Sequence, residues 1–229
     1  MSRKRRSAAN GDRPIHRKPG RPRAERIFYV AVEGEATEPE YLDYLNKEFG
    51  ERHRFSIKPL SQSNGGLKPR EVVARVAEHL DDVKEFSAKL WAMFDRDEHT
   101  GVPEAFKEAE EADIRVAFSN PSFDLWLLLH LSDFSGAQGG SSDIVHEKLK
   151  KHDAFRTFGP KDKRLASSRK DALRGREKDA ADRARRLARD CTTNGCSARG
   201  GHVGRCPRIA RDPYTEVWEL LVELGIIPR

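Results

Sequence analysis

The chain has 229 residues, 37% hydrophobic and 35% charged, enough to bury one sizeable core inside a polar, soluble protein. Its net charge of +6 is unevenly spread: residues 1–26 carry ten Lys/Arg against two Asp/Glu, residues 27–147 twelve against twenty-four, and residues 148–189 sixteen against six. No apolar run approaches the roughly 20 residues of a membrane span, the opening MSRKRRSAAN lacks the apolar middle of a secretory signal, and three cysteines confined to Cys191–Cys206 make no disulfide framework, so a cytoplasmic protein without a membrane partner is expected.

Residues 1–25 are basic, rich in Pro and Gly and almost free of apolar side chains; such a stretch cannot offset its ordering entropy and reads as a disordered arm suited to polyanion contact. Order begins at residues 26–32 (RIFYVAV), a β-branched and aromatic run that predicts a buried strand. It enters an acidic turn, Glu33-Gly34-Glu35-Ala36, where Thr37 and Glu40 have capping-box spacing ahead of a helix carrying Tyr41, Leu42, Tyr44 and Leu45. A second strand is expected at residues 55–60, then a Gly-containing loop and a helix over 69–86.

A third strand at residues 90–94 ends in Asp95-Arg96-Asp97. A fourth at 114–118 ends in Ser119-Asn120-Pro121 and is followed by the apolar helix Phe123-Asp124-Leu125-Trp126-Leu127-Leu128-Leu129-His130, whose His130 reads as a packing residue. The rest reads as helical: 141–151, a long basic helix over 163–190, and a last helix from Asp212-Pro213 to about Leu224. Strands alternating with helices predict an α/β fold, Rossmann-like with a mainly parallel sheet and flanking helices, over residues 26–135; residues 136–229 form a helical, basic C-terminal extension. Ligands of such sheets bind outside the carboxyl ends of the strands, and three of the predicted strands end there in polar sequence. That edge collects Glu33, Asp95, Asp97, Asn120 and Asp124.

Side chains two apart on extended backbone point to the same side, so Asp95 and Asp97 can share one hard divalent cation, Mg²⁺ or Mn²⁺, with Glu33 completing the acidic centre. Glu35, Glu38 and Asp124 are further candidate ligands, and strand-end acids also serve as helix caps. Among the basic residues of 163–190, Arg169, Lys170 and Arg174, with Asn120, are the candidate nucleic-acid contacts; an ion-paired surface helix is the competing reading. Cys191, Cys196, His202 and Cys206 offer a Cys₃His set for structural Zn²⁺ in a loop at 191–206, against a Gly-rich loop with incidental thiols.

The hydrophobic strand ending in Glu33-Gly34, followed by the strand ending in Asp95-Arg96-Asp97, resembles the TOPRIM domain of topoisomerases, bacterial primases and related nucleases. The wider set VEGEATEPEYL, WAMFDRDEH and RVAFSNPSFDLWLLLH resembles the RloB-like family. This resemblance implies a metal-dependent nuclease with Glu33 as ligand or general acid/base and Asp95 and Asp97 as principal ligands. It implies nucleic acid as substrate and a place in phage defence as an abortive-infection effector. A defence-operon ATPase and a second copy of the chain are the protein partners it suggests. A non-catalytic nucleic-acid-binding sensor or adaptor on the same scaffold is the alternative, and no counterpart of a topoisomerase tyrosine is seen.

Overall fold

The computed structural model describes residues 26–61, 65–81, 88–96, 101–136, 141–159, 161–191, 193, 196, 202 and 206–229. The predicted arm at 1–25 and the candidate ligand Asp97 lie outside the described residues.

The protein is α/β. Five strands, β1 (Arg26–Val32), β2 (Phe55–Leu60), β3 (Lys89–Asp95), β4 (Arg115–Asn120) and β5 (Tyr214–Thr215), lie in the order β2-β1-β3-β4-β5. The first four are parallel and β5 is antiparallel to β4. The parallel strands are linked by α1 (Thr37–Leu45), α2 (Pro69–Ala77) and α3 (Val102–Glu111). After β4 come α4 (Phe123–Leu131), α5 (Asp143–Leu149), α6 (Ser167–Leu173), α7 (Glu177–Arg189) and, beyond β5, α8 (Val217–Leu224).

Strand alternation divides the core in two. Phe28, Val30, Val32, Trp91 and Met93 point to one face, where they pack with Tyr41 and Leu42 of α1 and with Trp126 and its leucines on α4. Ala31, Leu90, Ala92 and Phe94 point to the other, under Val72 and Val76 of α2 and Ala105 and Ala109 of α3. Each large side chain so buried contributes about 1.5–3 kcal/mol. The chain leaves β1 toward β2 over the first face, and moves back across β1 to β3 and on to β4 over the second. Crossovers running in opposite directions across the sheet keep the same hand only on opposite faces. β1 and β3 therefore flank the point where the strand order reverses.

The predicted long basic helix is two helices. Gly175, at φ +77°, separates α6 from α7, a conformation that any side chain would strain. Of the helix expected over 69–86, α2 covers Pro69–Ala77, a turn follows, and residues 82–87 lie outside the described residues. β5 was not anticipated: the last helix begins at Val217, and the Tyr214-Thr215 pair beside it completes the sheet edge by pairing with Asn120 and Ser119. Val217, Leu220, Leu221 and Leu224 then enter the same core as β1 and α4. The capping box at Thr37 and Glu40 is not made either. Thr37 Oγ1 donates to the Lys163 carbonyl (2.6 Å), and Glu40 accepts from Arg164 Nε (2.8 Å) and from the Leu165 amide.

Much of the basic C-terminal segment is engaged within the fold. Arg169 is only 3% exposed, lies against Phe155 and Phe158, and donates to the carbonyls of Ala154, Asp162 and Arg164, to Thr157 Oγ1 and to Asp162 Oδ2. Arg183 donates to the Leu129 (2.6 Å) and His130 (3.2 Å) carbonyls, satisfying the C-terminus of α4. Removing a buried guanidinium that holds so many acceptors leaves them unpaired. Arg169→Met is expected to lower the unfolding free energy by roughly 3 kcal/mol in urea titrations, and Lys178→Ala on the exposed face of α7 by about 0.5 kcal/mol or less.

Candidate functional site

The parallel register that pairs Val32 with Met93 carries Glu33, one residue beyond β1, alongside the end of β3. There the Asp95 amide donates to Glu33 Oε2 (3.1 Å). Asp95 shares the alternation of Trp91 and Met93, so it leaves the sheet on the face covered by α1 and α4. Its Oδ2 accepts the Phe123 amide (2.9 Å) at the first turn of α4. The capping role open to a strand-end acid is thus real for Asp95, and it occupies one carboxylate oxygen.

Two more acids reach the same corner from helix N-termini. Glu38, in the first turn of α1, is 9% exposed, and Asp124, in the first turn of α4, is 5% exposed. Asp124 Oδ2 accepts from His146 Nε2 on α5. Gly34 makes room for Glu38: a Cβ at residue 34 would run into the Glu38 carboxylate. The Glu-Gly pair at the end of β1 is therefore one acid plus the space for a second.

The electrostatics follow from this crowding. Burial, followed by repulsion from Glu33 and Glu38, holds the Asp95 carboxyl well above the usual carboxylate range. Burial, aided by Asp124 and Glu33 and opposed by its own backbone amide and by Lys163, pushes Glu38 up to about 7. Among the described residues neither Glu38 nor Asp95 has an ion-pair partner. Close by in sequence, Ser122 Oγ is buried with no hydrogen-bond partner among the described residues. The donor set is all oxygen, the kind hard cations take, and Mg²⁺ needs only one or two carboxylates plus waters and phosphate oxygens. The residues present therefore fit Mg²⁺ or Mn²⁺, although the carboxylates do not form a compact ligand knot. The compact group among the described residues is Cys191, Cys196, His202 and Cys206, whose ligand atoms all lie within 4.8 Å of one another.

Of the sequence candidates, Glu33, Glu38, Asp95 and Asp124 come together. Glu35 is drawn away to bind the Gly65 and Gly66 amides, the latter at 2.9 Å. Asn120 does not face solvent: it is 1% exposed, and its Nδ2 donates to the carbonyls of Arg211 (2.5 Å) and Ile209 (3.4 Å). The expectation that Asn120 and Arg169 contact nucleic acid is corrected by their burial. Lys170 faces Asp43 of α1 at 3.8 Å, and Arg174 binds Glu48 (3.0 Å) and Asp171 (2.7 Å), so both are ion-paired within the fold. His130 is buried, its Nδ1 donating to the Trp126 carbonyl (2.9 Å) and its Nε2 facing the Tyr41 hydroxyl (3.4 Å). Burial pushes it down to about 4, so it is a neutral packing residue. The residue that sequence reasoning missed is His146, which sits amid alternating polar residues and is brought to Asp124 only by the packing of α5 on α4.

The family model described as RloB-like protein matches residues 28–224, and the chain belongs to that family. No curated protein and no solved structure matches the chain. No helix of the described residues is long and apolar enough to cross a membrane.

Glu38 and Asp95 keep their protons to higher pH in the folded chain than in the unfolded one. Stability is therefore greatest below the unfolded carboxylate range, near pH 4.5 for a free Glu, and falls as pH climbs toward about 7. His130 acts oppositely, losing stability as pH falls from 6.5 toward 4, so the comparison that isolates the acids is with Glu38→Gln. In denaturant titrations without divalent cation, wild type should lose more stability than Glu38→Gln between pH 5 and 8 (roughly the span bracketing the shift), and added Mg²⁺ or Mn²⁺ should close the gap.

Proposed function

We propose that this RloB-like protein is a Mg²⁺- or Mn²⁺-dependent nuclease that cleaves phosphodiester bonds in nucleic acid. Glu33, Glu38, Asp95 and Asp124 line the cation site, with Asp97 as a further ligand. The observation that carries the reading is the convergence of four acids on the carboxyl edge of β1 and β3, where the strand order reverses. Open α/β sheets bind their ligands at that position. Glu38 is buried and Asp95 half-buried, and among the described residues neither has an ion-pair partner, an arrangement that costs stability unless a cation balances it.

A divalent cation bound there would polarise a phosphodiester and lower the pKa of its bound water. The chain's own part is positional. The Asp95 amide fixes one oxygen of Glu33, and the α4 amide of Phe123 fixes one oxygen of Asp95, leaving Asp95 Oδ1 for the cation. His146 orients Asp124 in the same way, as partners behind metal ligands commonly do. Gly34 keeps Glu38 at the corner. The ends of α1 and α4 face the site with their N-termini, whose partial positive charge also favours a phosphate. The Glu-Gly and Asp-x-Asp pattern resembles that of TOPRIM nucleases, and the family link extends the proposal to a role as a phage-defence effector.

The experiment is to incubate the pure chain with DNA, RNA, tRNA or nucleotides, each with Mg²⁺, Mn²⁺ or EDTA. Cleavage should require the divalent cation and should drop at least about 100-fold in Asp95→Ala and in Glu33→Gln, with both variants folded by circular dichroism. Gly34→Ala, which displaces Glu38, should cost about 10- to 100-fold. Cleavage undiminished in Asp95→Ala and Glu33→Gln would end the proposal. Salt-sensitive binding with no product under any metal would point instead to a non-catalytic binder.

A further inference from the structure

The second cluster of ligand-type side chains lies at the opposite chain end and plays no part in the acidic site. Cys191 follows α7 by two residues, and Cys206 immediately precedes Pro207 and the turn Arg208–Ala210. Between them Cys196 and His202 complete a group whose ligand atoms are all within 4.8 Å of one another. Cys196 and Cys206 are 4% and 2% exposed.

The separations carry chemical information. Cys191 Sγ and Cys206 Sγ are 3.6 Å apart, and Cys196 Sγ is 3.5 Å from His202 Nδ1. A disulfide needs about 2.05 Å between sulfurs, so no bond joins the thiols. A tetrahedron built from Zn–S of about 2.3 Å and Zn–N of about 2.0–2.1 Å has edges of about 3.8 Å between sulfurs and about 3.5–3.6 Å between sulfur and nitrogen. The two separations above are close to those edges, and every other pair in the group lies within 4.8 Å. Three sulfurs and one imidazole also exhaust four-coordinate zinc, leaving no open position for substrate or water.

We propose that Cys191, Cys196, His202 and Cys206 bind one structural Zn²⁺ that fastens the end of α7 to the β5 edge of the sheet. The contacts around the cluster show what would be fastened. The His202 ring meets Tyr214 of β5 edge-on at 6.3 Å between centroids. The Tyr214 hydroxyl donates to Glu216 (2.7 Å), Arg211 donates to that hydroxyl (2.9 Å), and Arg208 binds Glu216. Asn120, the last residue of β4, holds the Arg211 carbonyl from the other side. β5 is two residues long, too short to hold a sheet edge by its own ladder, and the Gly-rich segment leading into it has little apolar surface to bury. A metal cross-link supplies the missing constraint, since site formation and folding are one equilibrium for such loops.

This inference is independent of the nuclease reading, and its test separates the two sites. Full-length protein purified without chelator and kept reduced should contain one zinc per chain by elemental analysis. Asp95→Ala should retain it, whereas Cys206→Ser and His202→Ala should lose or weaken it. Because a Cys206 variant can fail to fold, Co²⁺ exchange into the wild-type chain gives a second readout. Tetrahedral thiolate ligation produces intense visible d–d bands and a sulfur-to-cobalt charge-transfer band. Zinc removal by a zinc-selective chelator should lower the melting temperature, and re-addition should restore it. Absence of stoichiometric zinc after reconstitution of the reduced protein, a pale octahedral cobalt spectrum, or a Cys191–Cys206 disulfide found by alkylation and mass spectrometry would each overturn the assignment.

Discussion

Like charges drawn together out of water are the constraint on which this protein turns. Four carboxylates lie around the corner where β1 and β3 end, and two of them, Glu38 and Asp95, are held well above their ordinary titration range. A fold does not accumulate such repulsion for stability, because each buried uncompensated charge opposes folding. The architecture supports it deliberately. Helix N-termini of α1 and α4 point at the cluster, backbone amides take one oxygen of Glu33 and one of Asp95, and Gly34 clears the space that Glu38 fills. What remains is oxygen-donor capacity at the place where an α/β sheet receives its ligand.

The basic C-terminal half serves this body in a way its charge count conceals. An acidic middle and a basic flank read in the chain as separate surfaces, one for cations and one for polyanions. In the folded protein they partly neutralise each other: Arg164 binds Glu40, Lys170 faces Asp43, and Arg174 binds Glu48, all along α1 and the turn after it. Arg183 closes the end of α4, and Arg26 does the same for α8 through the Glu223 and Leu224 carbonyls. The C-terminal segment thereby braces both helices that present acids to the site. Loss of a helix partner at α6 or α7 would reach Glu38 and Asp124 through packing alone.

The two proposed metal sites differ as their donors do. Oxygen ligands with room for water suit a hard, substrate-facing cation; three thiols and an imidazole in a closed tetrahedron suit a structural one. Both adjoin β4. Its last residue, Asn120, is tied to the segment that carries Cys206, and the turn after it leads to Phe123, whose amide caps Asp95.

The strands β1 to β4, the helices α1 and α4 and the α/β class were legible in the chain, because each buried strand is a short β-branched or aromatic run, α1 has an apolar stripe and α4 is apolar on every side. The acids Glu33 and Asp95 were legible too, since a carboxylate at the end of a hydrophobic strand has a fixed address in a parallel sheet. Proximity in space decided the rest. Glu38 and Asp124 belong to the corner because α1 and α4 cover the same face. His146 belongs because α5 packs on α4. Arg169 and Asn120, polar and seemingly available, are buried because only the folded backbone brings carbonyls to meet them. The two-residue strand β5 has no periodicity to detect and exists because β4 offers an edge. Local sequence specifies the period and polarity of each element; which side chains share a site depends on crossover direction and helix packing, which no single stretch of chain encodes.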